Sequence, residues 1–492
     1  MLSYRKLAMR VLGRPLNTGG GNNSPRPASQ RAAALVLTAA MLTTFTAPAF
    51  AGTWYIEDGD ITISAGESGN NVTQNENTTK NDTDTIITNR EEGASSHTVT
   101  IDAKDKDDKV EVTLKDANID TSKQSKAAVS VTGSGDTTIE LDGDNELQGG
   151  DRHAGLEHNQ TVDSEGNVTS GKLTIQDDND NAGSLTATGG YFGAGIGGGS
   201  AKAGQVTITG GTITAISGDG AGIGGGQGNM GSNAGNADIE ISGGTIEATG
   251  GYTSAGIGGG YYGDATIKIT GDAVIKNATG GTFGAGIGGG GGGNGDVTIS
   301  GNAKIENAQG GYAGSGIGGG YGASGTVTIK DDSTVTATGG EAGAGIGGGV
   351  GGLADVTIEG NATVNAIGGV GSAGIGGGYD AENDEDDGNG NQISIKSNES
   401  GAPTVNATGG ESSIDKKTGE KIPGGAGIGS GAGDAKANIT LEGKVTIVAK
   451  AGEGNAAIGD MNGEQVFTGL DGSITRYDSE GNDTTLPTDP GY

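Results

Sequence analysis

The chain has 492 residues, 106 of them glycine and 8 proline, with no cysteine and a formal charge of −32. Collagen is excluded because glycine does not recur at every third residue, and disorder because Val and Ile alternate with Thr along most of the chain. A surface this acidic repels nucleic acid and anionic lipid, so cations and neutral surfaces are the expected partners.

Residues 1–51 read as a secretory signal peptide. Arg5, Lys6, Arg10, Arg14, Arg26 and Arg31 precede the uncharged run "AAALVLTAAMLTTFTAPAFA". The run ends in Ala49-Phe50-Ala51, a small-x-small cleavage pattern, and is short for a membrane span. Cleavage removes six basic residues and no acidic ones, which leaves 23 basic against 61 acidic and a charge near −38. The mature protein is expected to be secreted, extracellular or held at the cell surface, with no transmembrane segment. Without cysteine its stability cannot rest on disulfides.

Residues 52–150 contain the alternating stretches "DITIS" (Asp60–Ser64), "TVTID" (Thr98–Asp102), "VEVTL" (Val110–Leu114) and "TIEL" (Thr138–Leu141). Their spacing is loose, and they are expected to form entry coils or a cap. An uncapped stack would expose unpaired strand edges.

Residues 151–460 are periodic. The motif "AGIGGG" places isoleucine at Ile196, Ile223, Ile257, Ile287, Ile317, Ile346 and Ile375, with degenerate copies at Ile428 and Ile458. "RHAGLE" (Arg152–Glu157) reads as a worn copy. A steady interval of roughly thirty residues marks a solenoid. Each unit holds three apolar pieces, as in "VTIS" (Val297–Ser300), "AKIENA" (Ala303–Ala308) and "SGIGGG". The first two alternate as strands do, and Gly-Gly, Gly-Asn, Gly-Asp or Asp-Asp joins them. Inward ladders are expected at Val206/Ile208, Ile239/Ile241, Ile267/Ile269, Val297/Ile299, Val327/Ile329, Val356/Ile358 and Ile393/Ile395. Glu240 should lie above Lys268. The fold class is all-β, with three short strands per coil. Residues 461–492 read as a polar tail.

Alternation would point Ala194 and Ile196 inward and Gly195 and Gly197 outward. Two readings of those glycines stay open: relief of a crowded corner, or a bare backbone strip against which a ligand lies. Aromatic residues flank the strip. Tyr191, Tyr252 and Tyr312 stand five residues before a motif isoleucine, and Phe192 and Phe283 four before. Tyr261, Tyr321 and Tyr379 stand four after, and Tyr262 adjoins Tyr261. The Tyr191, Tyr252, Tyr312 series recurs every second coil, about 10 Å apart at strand spacing. That is comparable with a disaccharide step, and rings on a shallow surface suit sugar stacking. The alternative is that these rings cover the corners of the core.

Acidic residues gather in two loops. Asp380, Glu382, Asp384, Glu385, Asp386 and Asp387 crowd the insertion "YDAENDEDDGNGNQ" (Tyr379–Gln392), and Asp177, Asp178 and Asp180 lie in "QDDNDNAG". Such clusters read either as Ca²⁺ ligands or as solvated charge. No catalytic constellation assembles. His97, His153 and His158 all precede the regular coils and read as polar loop residues, and Asp331-Asp332 occupies a turn position.

The repeats "GGTITAISGDGAGIGGG" (Gly210–Gly226) and "STVTATGGEAGAGIGGG" (Ser333–Gly349) resemble those of bacterial secreted glycine-rich-repeat carbohydrate-binding proteins, a group similar to the pectate-lyase-like right-handed parallel β-helix. The resemblance covers roughly residues 130–460. It implies a right-handed parallel β-helix that binds extracellular polysaccharide, with calcium assisting through acidic loops. No lyase or polygalacturonase signature is present, so catalysis is not carried over. The expected function is an exported, non-catalytic polysaccharide-binding protein, of plant or bacterial glycan, acting along a Gly/Tyr-lined face. A structural or adhesive cell-surface spacer is the alternative, and a polysaccharide lyase a remoter one.

Overall fold

In the computed structural model the described residues are 50–491, without 180, 229–234, 384–389 and 417. All but the last two residues of the expected signal peptide lie outside them.

Alternating Val and Ile stack into a solenoid of about 14 coils whose strands pair in parallel. Each regular coil contributes three strands. In one coil these are Gly295–Ile299, Lys304–Gln309 and the two-residue Ile317–Gly318. Pairing to the next coil is in register, with Val297 opposite Val327, Ile299 opposite Ile329 and Ile317 opposite Ile346. The inward ladders expected from the sequence are buried. Each Ile or Val in the core contributes about 1.5–3 kcal/mol relative to exposure, so a ladder carried through every coil needs few aromatic residues. Glu240 does sit in register with Lys268, while its carboxylate lies 3.3 Å from the Lys172 ammonium.

The corner between the first two strands demands positive φ. Gly271, Gly301 and Gly360 adopt +62°, +70° and +73° there, and Asp331 holds the same corner at +62°. The Asp331 carboxylate accepts the Gly301 amide at 3.0 Å, so Asp331-Asp332 is turn chemistry.

The worn copy joins the stack, with Leu156 opposite Ile196. At the N-terminal end the direction changes. Strand β1 (Phe50–Tyr55) runs parallel to β4 (Asn77–Thr88), but β2 (Ile61–Ala65) and β3 (Asn70–Gln74) pair antiparallel, as do β3 and β4. The buried Asp82 fixes β1 by accepting the Gly52 amide at 2.9 Å and the Trp54 indole N–H at 2.7 Å.

Of the stretch 461–492, read as a polar tail, the described residues 461–491 include a strand of the stack. Strand Ser473–Tyr477 pairs with Thr446–Lys450 and sets Arg476 opposite Ala449. Earlier coils carry alanine at that inward position, as at Ala337, Ala366 and Ala407. The guanidinium is fully buried. It donates to both oxygens of Asp489 at 2.7 and 3.0 Å, to Glu464 at 2.5 Å and to the Gln465 carbonyl at 2.9 Å. The polar composition hides this because only Phe467, Leu470 and Ile474 of the segment are apolar groups against the core, and a satisfied buried ion pair covers the rest of its end.

Candidate functional site

The glycine motif is not a bare strip. Gly195 and Gly197 are buried, as are their counterparts in the following coils, so the outward direction expected from alternation is incorrect. Each motif instead closes on itself. The Ala194 amide donates to the Gly198 carbonyl at 2.9 Å, and Ala285 to Gly289 and Ser315 to Gly319 both at 3.0 Å. The isoleucine sits at the apex of this loop inside the core, while its own amide bonds to the next coil, as Ile317 does to Gly345 at 3.0 Å. A Cβ on Gly316 would stand 2.6 Å from the Gly345 oxygen and 2.8 Å from the Thr338 nitrogen. Gly318 holds φ at +130°. The steric reading of these glycines therefore holds.

Closing the loop brings together the segments before and after it. The Tyr321 amide donates to the Phe283 carbonyl at 2.8 Å, and Gln227 to Phe192 at 2.9 Å. Rings expected on two separate edges therefore reach one face. Phe283 lies edge-on to Tyr252 and to Tyr321, with centroids 5.5 Å apart in both cases. Tyr191 meets Phe192 at 4.5 Å, and Tyr261 meets Tyr262 at 4.1 Å with their hydroxyls 3.1 Å apart. That shared hydroxyl bond raises the Tyr261 phenol above its usual range. Tyr191, Tyr252, Tyr312 and Tyr321 are 61%, 59%, 55% and 50% exposed, so the rings do not simply seal corners.

Phe283, Tyr312, Tyr321 and Tyr379 line a groove of 410 Å³. Its far wall is a hairpin the sequence reading missed: Ser413–Ile414 pairs antiparallel with Lys421–Ile422. The 53-position interval from Ile375 to Ile428 is the available signal. It exceeds one period by more than the acidic insertion accounts for. Ile414 is 65% exposed in the groove wall, and Glu341, Ser413, Asp415 and Lys416 supply polar lining. Glu453 anchors the hairpin base, accepting from Ser412 at 2.6 Å and from Lys421.

The acidic residues that are described do not converge. Asp180 and Asp384–Asp387 lie outside the described residues, and among the described ones no three His, Asp or Glu form a metal-holding group. Asp177 accepts the Gly183 amide at 3.1 Å. The Asp178 amide donates to Glu140 at 2.8 Å, and Asn179 donates to the same carboxylate. This loop therefore offers its donors to an acid of the preceding coil. Asp380 and Glu382 are exposed.

The histidines also stay apart. His97 lies 3.3 Å from Asp60 and His153 2.8 Å from Glu157. His158 is not a loop residue: it ends strand Leu156–His158 and is buried, between the Val131 and Gly171 carbonyls at 3.2 and 2.9 Å. Burial lowers its pKa below the ordinary 6.5, against the raising effect of the two carbonyls.

A model of the beta helix repeat matches residues 181–200, 206–227, 239–261, 327–350 and 356–379. The fold is a right-handed parallel β-helix. The segments of the β-helix that carry Phe283, Tyr312 and Tyr321 fall between the matched repeats. Searches of curated proteins and of solved structures return no match to this chain. Among the described residues no helix is long and apolar enough to cross a membrane.

Proposed function

We propose that this β-helix is an exported, non-catalytic protein that binds extracellular polysaccharide in the aromatic groove. The observation that carries the reading is the contiguous row Tyr252, Phe283 and Tyr321, which leads into a groove walled by Tyr312, Tyr379 and the exposed Ile414. Rings offer flat apolar faces to the C–H faces of pyranoses, and the polar lining offers hydrogen bonds to hydroxyls. The ligand surface is Tyr/Phe-lined, with the glycines beneath it as spacers that let the ring-bearing loops approach.

The test is retention of the mature chain on a panel of plant and bacterial polysaccharides, with and without Ca²⁺. Tyr312→Ala and Tyr321→Ala should each weaken retention; Tyr312→Ala should leave thermal unfolding unchanged, whereas Tyr321→Ala also gives up the edge-on contact with Phe283. Unchanged retention in both variants would remove the groove from the proposal. The covered ends and unbroken stack also favour the spacer reading, which predicts no retention on any glycan.

A further inference from the structure

The hairpin lines the groove at the C-terminal end of the row of rings. Along the stack the rings run from Tyr252 through Phe283 to Tyr321, and Tyr379 follows after one coil that carries Val350 at that position. The hairpin belongs to the very next coil, where the Gly371 amide donates to the Glu411 carbonyl at 3.0 Å. Ile422 packs beside Tyr379, since a Cβ built on Gly371 would meet both side chains, at 3.2 and 2.9 Å. Beyond the hairpin the position after the motif passes to Ala432, which is buried, and the position before it to Glu453, which is occupied by Lys421 and Ser412. The row of rings thus stops at the hairpin. Toward the N-terminus it reaches Tyr252, which is exposed.

We infer that the groove receives the end of a glycan chain, not its middle. The inference rests on the glycan-binding reading. A chain lying along the rings cannot pass through the hairpin, so its last residue must sit against Tyr379 and Ile414. A terminal sugar differs from an internal one by an additional free hydroxyl. The polar groups gather where that hydroxyl would lie: Ser413, Asp415 and Lys416 stand at the hairpin end, whereas Tyr252, Phe283 and Tyr321 make the approach apolar. At the base of the hairpin loop the Asp415 amide donates to the Glu420 carbonyl at 2.8 Å and the Asp415 carboxylate accepts the Thr418 amide at 3.0 Å.

Size-fractionated mixed-linkage β-glucan, glucomannan and arabinoxylan, compared at equal mass concentration by calorimetry, test this. Chain-end binding predicts that sites per unit mass rise in inverse proportion to chain length. Borohydride reduction of the fractions separates the reducing end from the other: a loss of about tenfold or more assigns the reducing end, and no loss the non-reducing end. Replacing residues 412–422 with two glycines should make site number independent of chain length. Ile414→Ala, an exposed change without risk to folding, should weaken end binding by about fivefold. If the wild-type chain binds a glycan with sites per unit mass constant across sizes, the inference is overturned and the glycan-binding reading stands. If neither these fractions nor any polysaccharide of the plant and bacterial panel binds at any size, the glycan-binding reading falls and takes the inference with it.

Discussion

Phe283 touches Tyr321 edge-on at 5.5 Å although the two stand on opposite sides of different glycine motifs. Loop closure within the motif makes this possible, since it draws the chain after one motif against the chain before the preceding one. Phe283 also packs on Tyr252 at 5.5 Å. Phe283→Ala should therefore lose two edge-to-face contacts, each worth about 0.5–1.5 kcal/mol, together with the buried part of its ring. A fall in unfolding free energy of roughly 2–3 kcal/mol is expected from urea denaturation, alongside weaker glycan retention. The exposed Tyr312→Ala should affect retention alone.

Gly316→Ala tests the packing of the motif. The new Cβ would meet backbone atoms of the following coil at 2.6 and 2.8 Å, and neither can yield without breaking the ladder. A loss of about 1–3 kcal/mol is expected. Gly93→Ala, where a Cβ meets nothing within 4 Å, is the neutral comparison. Equal stability of the two variants would contradict the account of the motif.

The C-terminal end depends on Arg476 and Asp489, both side chains fully buried. Asp489→Ala leaves a buried guanidinium short of its partner and should cost about 3–5 kcal/mol. Hydrogen exchange should accelerate first in strands Ser473–Tyr477 and Thr446–Lys450. Replacing Arg476, Asp489 and Glu464 together with apolar residues should recover much of that loss, because no unpaired charge then remains.

His158 supplies a pH dependence. Burial lowers its folded pKa below the 6.5 of the free side chain. The unfolded chain then takes up a proton more readily, so the stabilisation is complete above about pH 6.5 and declines as pH falls toward the folded pKa. Carboxylates such as Asp58, Asp60 and Glu57, whose pKa values are lowered from 3.8 or 4.5, lose their contributions only at more acid pH. Melting temperatures between pH 7.5 and 5 should fall in the wild type and fall less in His158→Gln. Parallel curves for the two proteins would refute this assignment.

The coil architecture was legible because the Val/Ile alternation and the recurring isoleucine report directly on burial, as Val297 over Val327 and Ile317 over Ile346 illustrate. The direction of Gly195 and Gly197 was not, because a strand-like alternation was assumed where the chain makes a closed loop. Glycine carries no side chain to register the difference. The aromatic residues were found by spacing, but their convergence follows from hydrogen bonds such as Tyr321 to Phe283, which periodicity alone does not encode. The hairpin at Ser413–Ile422 was hidden inside one long interval that also held the acidic insertion. Arg476 escaped notice because a charged residue at a core position reads as surface until its partners are seen.

A stack of near-identical steps has no internal reason to stop at any particular height. Here Asn70–Gln74 pairs antiparallel with the outer edge of Ile61–Ala65, the edge to which another parallel coil would have to add. At the opposite terminus a charged side chain fills the slot that every further coil would need for alanine. The two terminal blocks therefore fix where the stack ends but not how many thirty-residue units stand between them, so removing or adding a whole unit should lengthen or shorten the row of rings without disturbing either closure.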